Sequence, residues 1–435
     1  MAEYQHSVSL DADKCIGCTS CLRQCPTEAI RIRDGRARIR AELCIDCGNC
    51  IRVCQHKAKQ AVFDRLEDID PKYKWRIVLP APSLYGQFDE LKDVGCLLQA
   101  LLRCGFDEYY EVARAAEIIS ECTRRYMRKP DIVFPVISSA CPAIVRLIRQ
   151  RFPELCDNIL PILPPVEYAS RMAKAEALKQ HPELRKDEIC TVFISPCPAK
   201  TSYAKNGLSA TKSSIDYVVS MSDMYFKLLP YIKKAEPGKV RSQSGIAGVN
   251  WASSGGESEG LYADRYLAAD GMVNAIQVLD AIEDGKFPHL EFVELNACPG
   301  GCVGGAAAVE NPYIAKARIH GMRHSLPSNQ NYLRLLNQKP DYVPEYVMVD
   351  SPIINHVPEV RLSDNLAEAM RMMQRIDEIY KMLPQIDCGS CGAPTCRAFA
   401  EDVVKGECQI DDCVVYLRRM VQENPSGKRR PNDGP

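Results

Sequence analysis

From Trp75 onward, short apolar runs alternate with longer stretches whose apolar residues recur every three to four positions. The runs at 108–112, 132–138, 190–195, 215–220 and 290–296, with Trp75-Arg-Ile-Val-Leu-Pro opening the series, predict buried strands. The stretches 89–104, 113–128, 143–152, 167–180, 222–234 and 270–284 predict helices. Alternation of the two predicts an α/β domain with mainly parallel sheets over 75–350. Ahead of it, in region 1–60, Ala29-Ile-Arg-Ile-Arg-Asp-Gly-Arg-Ala-Arg-Ile-Arg alternates apolar and basic residues around Asp34-Gly35, a hairpin signature. Residues 60–75 are charged and polar and predict a linker. The pattern weakens through 320–352. A helix then runs from about Ser363 to Met382, with Leu366, Met370, Met373, Ile376 and Tyr380 on one face, spaced for packing. It opens a small helical domain over 360–420, and the polar tail 421–435 predicts disorder.

Composition narrows the chemistry. A chain of 435 residues has room for a large core and smaller attachments. Its net charge of -1 and lack of a basic face argue against nucleic acid as partner. The N-terminus shows no basic region followed by an apolar run, which predicts no signal peptide, and no window predicts a membrane span. A cytoplasmic location follows, and in a reducing compartment 22 cysteines read as metal ligands before disulfides.

Two cysteine blocks repeat: Cys15-x2-Cys18-x2-Cys21-x3-Cys25-Pro26, then Cys44-x2-Cys47-x2-Cys50-x3-Cys54. In such pairs the tight turn aims three thiolates at one cluster while the fourth serves its neighbour. This assigns Cys15, Cys18, Cys21 and Cys54 to one [4Fe–4S] cluster, and Cys44, Cys47, Cys50 and Cys25 to another. A lone C-x2-C pair would suit a zinc ribbon; two blocks of this spacing around a hairpin match an α+β bacterial-type ferredoxin domain. Gln55 stands where a proline usually follows the last cysteine.

Cysteines recur at three predicted strand ends, where α/β sheets gather their ligands. They lie in Ser138-Ser-Ala-Cys-Pro142, in Ser195-Pro-Cys-Pro-Ala-Lys200, and in Glu294-Leu-Asn-Ala-Cys-Pro-Gly-Gly-Cys-Val-Gly-Gly305. Cys141, Cys197, Cys298 and Cys302 make the four thiolates a cubane needs. Adjacent prolines fix φ where the chain must turn from a metal. The plainer alternative is ordinary buried thiols at turns.

These three segments resemble the signature motifs of the [FeFe]-hydrogenase catalytic domain, written TSCCP, MPCxxK and ExMACxxGCxxGG. Trp251-Ala-Ser-Ser-Gly-Gly-Glu-Ser-Glu resembles that family's glycine-rich segment between the second and third motifs, and the likeness spans about residues 10 to 320. It implies a cubane held by Cys141, Cys197, Cys298 and Cys302. It also implies a two-iron subcluster carrying CO, cyanide and a dithiolate amine, bridged through Cys302, the whole forming the H-cluster that makes or splits H2. Lys200 matches the lysine that donates a hydrogen bond to a cyanide, a task suited to a compact ammonium.

The departures are specific. Ala140 replaces the cysteine that relays protons to the bridging amine, so turnover is expected to be slow unless protons take another route. Ser195 replaces a methionine near the two-iron unit and adds a hydroxyl whose polarity would bear on redox potential. Glu121 matches a proton-path glutamate only loosely, and an exposed helix residue is its plain reading. Together these replacements resemble the divergent, sensory branch of the family.

The helix after Ser363 leads into Cys388-x2-Cys391-x4-Cys396-x16-Cys413. This resembles the small four-cysteine [4Fe–4S] domain of electron-transfer subunits and divergent hydrogenases. Zinc suits the first pair equally, while the glycine-rich turns and following helix favour iron. Cys408 is the spare that could compete with Cys413. Cys96, Cys104, Cys122, Cys156, Cys190 and Cys408 read as buried thiols.

The expectation is a divergent [FeFe]-hydrogenase with four [4Fe–4S] clusters and the two-iron unit, splitting H2 slowly as a hydrogen sensor or regulatory redox module. Its partners would be H2, protons and a redox or signalling protein near the C-terminal cluster. An iron–sulfur electron-transfer subunit without the two-iron unit is the alternative. A scaffold of the cytosolic iron–sulfur assembly type fits less well, since those lack the second octet and the C-terminal cysteines.

Overall fold

The computed structural model describes residues 6–89, 91–207, 212–331, 339–349 and 362–423. It divides into two units. The first joins Met1–Ser9, Ile45–Gly48 and Ala61–Val357; the second joins Leu10–Cys44, Asn49–Gln60 and Pro358–Pro435. Units therefore do not follow chain order: the stretch holding Cys47 belongs with the large α/β body, and the remaining ferredoxin-like cysteines belong with the C-terminal ones.

The first unit holds two parallel sheets. One has the spatial order Glu108–Tyr109, Trp75–Pro80, Ile189–Ser195, Tyr217–Ser220, with Trp75 opposite Ile189 and Val192 opposite Tyr217. The other orders Tyr266–Asp270, Phe292–Asn296, Val136–Ile137. Ile189–Ser195 is buried along its whole length, as a strand covered on both faces must be. The α/β class with parallel sheets, the antiparallel ferredoxin-like strands and the C-terminal helices are as the sequence predicts. No helix among the described residues is long and apolar enough to cross a membrane.

Several bounds differ from the sequence reading. The helix expected from residue 89 starts at Val94, because the Asp93 carboxylate caps it by accepting from the Cys96 amide at 2.8 Å. The strand expected over 132–138 shrinks to Val136–Ile137, starting only after Pro135, which has no N–H to donate. Tyr266–Asp270 was not foreseen as a strand; its Tyr-Leu-Ala-Ala-Asp has no β-branched residue and no polar alternation.

In the second unit, strands Ile30–Arg33 and Arg36–Ile39 pair antiparallel, Arg33 opposite Arg36, with Asp34 and Gly35 both at positive φ. That is the turn the Asp-Gly pair predicts. Helix Leu366–Met382 packs on helix Cys396–Val404 through Ile376, Ile379 and Leu383. Leu366, Met370 and Met373, expected on the packing face, are instead 77%, 65% and 52% exposed. The partner has 9 residues against 17, so it covers only about half the length of the longer helix. Of the tail, 421–423 close helix Val414–Glu423, and from 424 onward it lies outside the described residues.

Candidate metal centre

Three strand–turn–helix passages of the first unit converge on one pocket. Its wall includes Cys141, Cys197, Cys298, Cys302 and Lys200, with Pro142, Pro196, Asn296, Gly301 and Gly305. Cys141 caps helix Pro142–Arg151 and Cys197 caps helix Pro198–Asn206, each with proline in the first turn, where a missing N–H costs nothing. Both thiols therefore sit at helix N-termini, where free amides favour anionic sulfur. Cys298 follows strand Phe292–Asn296 directly, and Cys302 opens a tight 3-10 turn. The turn depends on Gly301, whose φ of 94° and ψ of -157° are open essentially to glycine alone.

Burial pushes the Cys141 thiol up to about 11, and burial likewise raises Cys197 and Cys302. Those three desolvated thiols are poor bare anions and call for cationic metal to replace their protons. Lys200 lies 4.0 Å from the Cys302 sulfur through Nζ. Burial works against its charge, but the surrounding sulfurs, Cys302 foremost, outweigh that and hold the ammonium.

Buried hydroxyls without a partner stand around the same turn. Ser83 lies on the turn Pro82–Gln87, which packs against Cys302–Gly304; Thr201 follows Lys200; Ser253 lies against Gly301. Burying a donor without a partner is costly, but none of these hydroxyls is on the pocket wall; there it is Lys200, beside the four cysteines, whose chemistry suits a group carrying anionic ligands.

Two further features were not legible beforehand. Cys47, assigned from sequence to a ferredoxin-like cluster, lines this same pocket. Its stretch is fixed by Asp46, which accepts from the Ser7 amide at 2.7 Å and pairs at 3.4 Å with Arg146, itself 2.7 Å from Ser202 Oγ. Arg146 thus ties together the Cys47 stretch and the helices that begin at Cys141 and Cys197.

The second feature is a pair of carboxyls. Ser138 Oγ donates to Glu257 at 2.6 Å and accepts from the Ala140 amide at 3.2 Å. Burial, then the neighbouring Glu294, pushes Glu257 from 4.5 up to about 8. Burial also raises Glu294, which accepts from Ser258 and from Asn296 on the pocket wall. Only the position of Glu257 within the glycine-rich Trp251–Glu259 stretch could have drawn attention to it.

The remaining candidates fall differently. Ala140 precedes Cys141 and brings no side-chain proton. The Ser195 hydroxyl is engaged by the peptide of Cys197, accepting from its amide at 3.1 Å, rather than turned into the pocket; the Ser-Pro-Cys sequence folds a local hydroxyl turn. Glu121 is half-buried and held by Arg124 and Arg125 at 2.5 and 2.7 Å. Burial would raise its pKa, but those bonds hold the carboxyl below its ordinary value, which makes it a poor relay; it is not on the pocket wall.

In the second unit, Cys15, Cys18, Cys21 and Cys54 line one pocket, together with Ile32 and Lys59. The repeat is mirrored in matching amide-to-sulfur bonds, Ala29 to Cys25 and Ala58 to Cys54, both at 3.2 Å. Cys25 lies close enough to influence the buried Cys50 thiol, and Cys44 belongs to the same unit. The C-terminal cysteines gather in the core under helix Leu366–Met382, with Cys388 and Cys413 both close to Cys391. The Cys396 amide donates to Asp387 at 2.6 Å. Cys408 packs against the same core as Cys391, Cys396 and Cys413, and burial pushes its thiol up to about 12. Of the cysteines read as ordinary thiols, Cys96, Cys122, Cys156 and Cys190 are buried, while Cys104 and Cys408 are only partly covered.

Residues 74–263 and 232–306 match the family described as iron only hydrogenase large subunit, C-terminal domain. Residues 7–55 match the 4Fe-4S dicluster domain, and 383–415 match an Fe-S cluster family. The periplasmic [Fe] hydrogenase large subunit of Nitratidesulfovibrio vulgaris is 27% identical over 381 residues, 72% of this chain and 88% of its own. Iron hydrogenase 1 of Clostridium pasteurianum is 24% identical over 408 residues, 76% of this chain and 70% of its own. A solved [FeFe]-hydrogenase aligns at 16% identity and a TM-score of 0.49, covering 67% of this chain and 97% of the other.

Proposed function

The chain belongs to the iron-only hydrogenase large-subunit family, and we propose that it is a divergent, slow member that serves as a hydrogen sensor or regulatory redox module. The observation that carries this reading is the single pocket walled by Cys141, Cys197, Cys298, Cys302 and Lys200. These four cysteines would hold a [4Fe–4S] cluster, and Cys302 would also bridge to the two-iron unit. When bound, that unit supplies the open coordination position at which H2 is taken apart into protons and electrons.

The chain's own residues set the rest. Lys200 would donate to an anionic ligand beside Cys302. Ala140 removes the usual proton relay next to Cys141. Ser138 and Glu257 are the groups placed to stand in: a carboxyl with a pKa near 8 is protonated at neutral pH yet able to release its proton. A detour through these groups, in place of a proton-bearing side chain at Ala140, would make turnover slow. Electrons would be carried by the ferredoxin-like clusters, assigned to Cys15, Cys18, Cys21, Cys54 and to Cys25, Cys44, Cys47, Cys50, with a fourth cluster at Cys388, Cys391, Cys396 and Cys413.

A cytoplasmic setting, where thiols stay reduced, would suit clustered cysteine ligands. The signal would leave through a redox or signalling protein partner. Infrared spectroscopy on the protein matured with the two-iron cofactor tests the reading. CO and cyanide bands that shift under H2 are expected; their absence from a fully iron-loaded chain would refute it in favour of an electron-transfer subunit.

A further inference from the structure

The hairpin of the second unit carries an unusual density of arginine, and the structure shows where it is spent. Asp402, whose side chain is completely buried, accepts from Arg31 Nε at 2.6 Å, Arg33 Nη2 at 2.5 Å and Arg40 Nη2 at 2.9 Å. Arg40 also pairs with Glu407. Three guanidiniums around one buried carboxylate are costly to assemble, and such groups earn their place by fixing one arrangement of the parts that contribute them. Here those parts are the ferredoxin-like hairpin and the helix that begins at Cys396.

The same clamp seats one cysteine loop upon another. The Ile32 amide donates to the Gly392 carbonyl at 2.8 Å, while the Ile32 side chain lines the pocket of Cys15, Cys18, Cys21 and Cys54. Gly392 has a φ of +78°, and a Cβ there would stand 2.1 Å from the Ile32 carbonyl oxygen, so the two backbones touch. Arg23, two residues beyond Cys21, donates to the Cys388 carbonyl at 2.7 Å. Arg33 donates to the Gly392 carbonyl at 3.1 Å.

We propose that the C-terminal four-cysteine module is the built-in redox partner of the Cys15, Cys18, Cys21, Cys54 cluster, with the Ile32–Gly392 contact as the junction and Asp402 as the latch. One electron passes from the reduced cluster to the oxidised one, in either direction, with no bond made or broken and no proton moved. The C-terminal cluster is then oxidised and reduced through the Cys15 cluster. This rests on the reading that both cysteine sets hold iron–sulfur clusters, and is independent of hydrogen chemistry at Cys302.

The test uses the iron-loaded full chain reduced with dithionite and followed by electron paramagnetic resonance. In the native chain, removing the C-terminal cluster by Cys391→Ser is expected to abolish a broadening and fast relaxation of the Cys15-cluster signal. Gly392→Val, which wedges the junction, and Asp402→Asn, which releases the latch, are expected to lose the same interaction while iron per chain stays at the native level. Iron content separates this loss from simple misfolding. A Cys15-cluster signal unchanged by Cys391→Ser, or an interaction that survives both Gly392→Val and Asp402→Asn, overturns the relay alone. Zinc in place of iron at the C-terminal site overturns the cluster reading and the relay together.

Discussion

Replacing Gly301 by alanine should unseat Cys302 and with it one cluster. Two costs add. At φ 94° and ψ -157° an L side chain is strained by about 1–3 kcal/mol. Its Cβ would lie 2.5 Å from the Ser254 nitrogen, 2.8 Å from the Ser253 carbonyl carbon and 2.9 Å from the Ala252 carbonyl oxygen. All three are backbone atoms that cannot rotate aside, which adds about 1–3 kcal/mol of overpacking. The strand of chain they belong to is held by Ser254 donating to Gly300 and Val303 donating to Ala252, at 2.9 and 3.0 Å, so relief would break the bonds that shape the turn. The total is about 2–6 kcal/mol. Gly285, with φ +70° and open space where a Cβ would go, isolates the strain, about 1–2 kcal/mol. Thermal unfolding and iron content of the two variants, purified side by side, measure the difference. Gly301→Ala should melt several degrees below Gly285→Ala, at about 2–4 °C per kcal/mol, and lack the iron of one cubane. Equal melting with full iron in both would refute the steric argument.

Asp46→Ala removes a buried carboxylate that holds the Ser7 amide and Arg146. The arginine left behind should cost about 3 kcal/mol, the low end for a broken buried pair because Ser202 still accepts from it; an unchanged thermal unfolding curve would contradict this. Glu257 makes the pH prediction. Its folded pKa is raised from 4.5 to about 8, so between those values the native state keeps a proton that the unfolded chain releases. Stability from this group is therefore full below about pH 4.5 and is lost as pH rises toward 8. Glu257→Gln should flatten that decline in denaturant melts taken from pH 5 to 8. Because Glu294 is coupled to it, the slope belongs to the pair. An identical slope in the variant would exclude a protonated Glu257.

The cysteines show what the sequence alone determined. Their spacing follows from local geometry: the first C-x2-C-x2-C turn aims its sulfurs into one pocket, and at Cys141 and Cys197 the following proline starts a helix. Thus Cys15, Cys18, Cys21 and Cys54 meet in one pocket, and so do Cys141, Cys197, Cys298 and Cys302. The strand pattern and the Asp34-Gly35 hairpin were legible for the same reason, since period and turn chemistry act over a few residues.

Tertiary structure decided what long-range packing controls. Nothing local in Leu366, Met370 and Met373 says that the helix beside them is too short to cover them. Nothing near Cys47 says that its stretch joins the large unit, where Arg146, a hundred positions away, grips Asp46. Glu257 is charged or neutral according to burial and to Glu294, 37 positions along the chain, so its pKa cannot be read from its neighbours in sequence. The alternation of the hairpin arginines marks a hairpin but says nothing of their partner Asp402, more than 360 residues on. Charge and spacing are written along the chain, but desolvation and partnership exist only once distant segments have excluded water together.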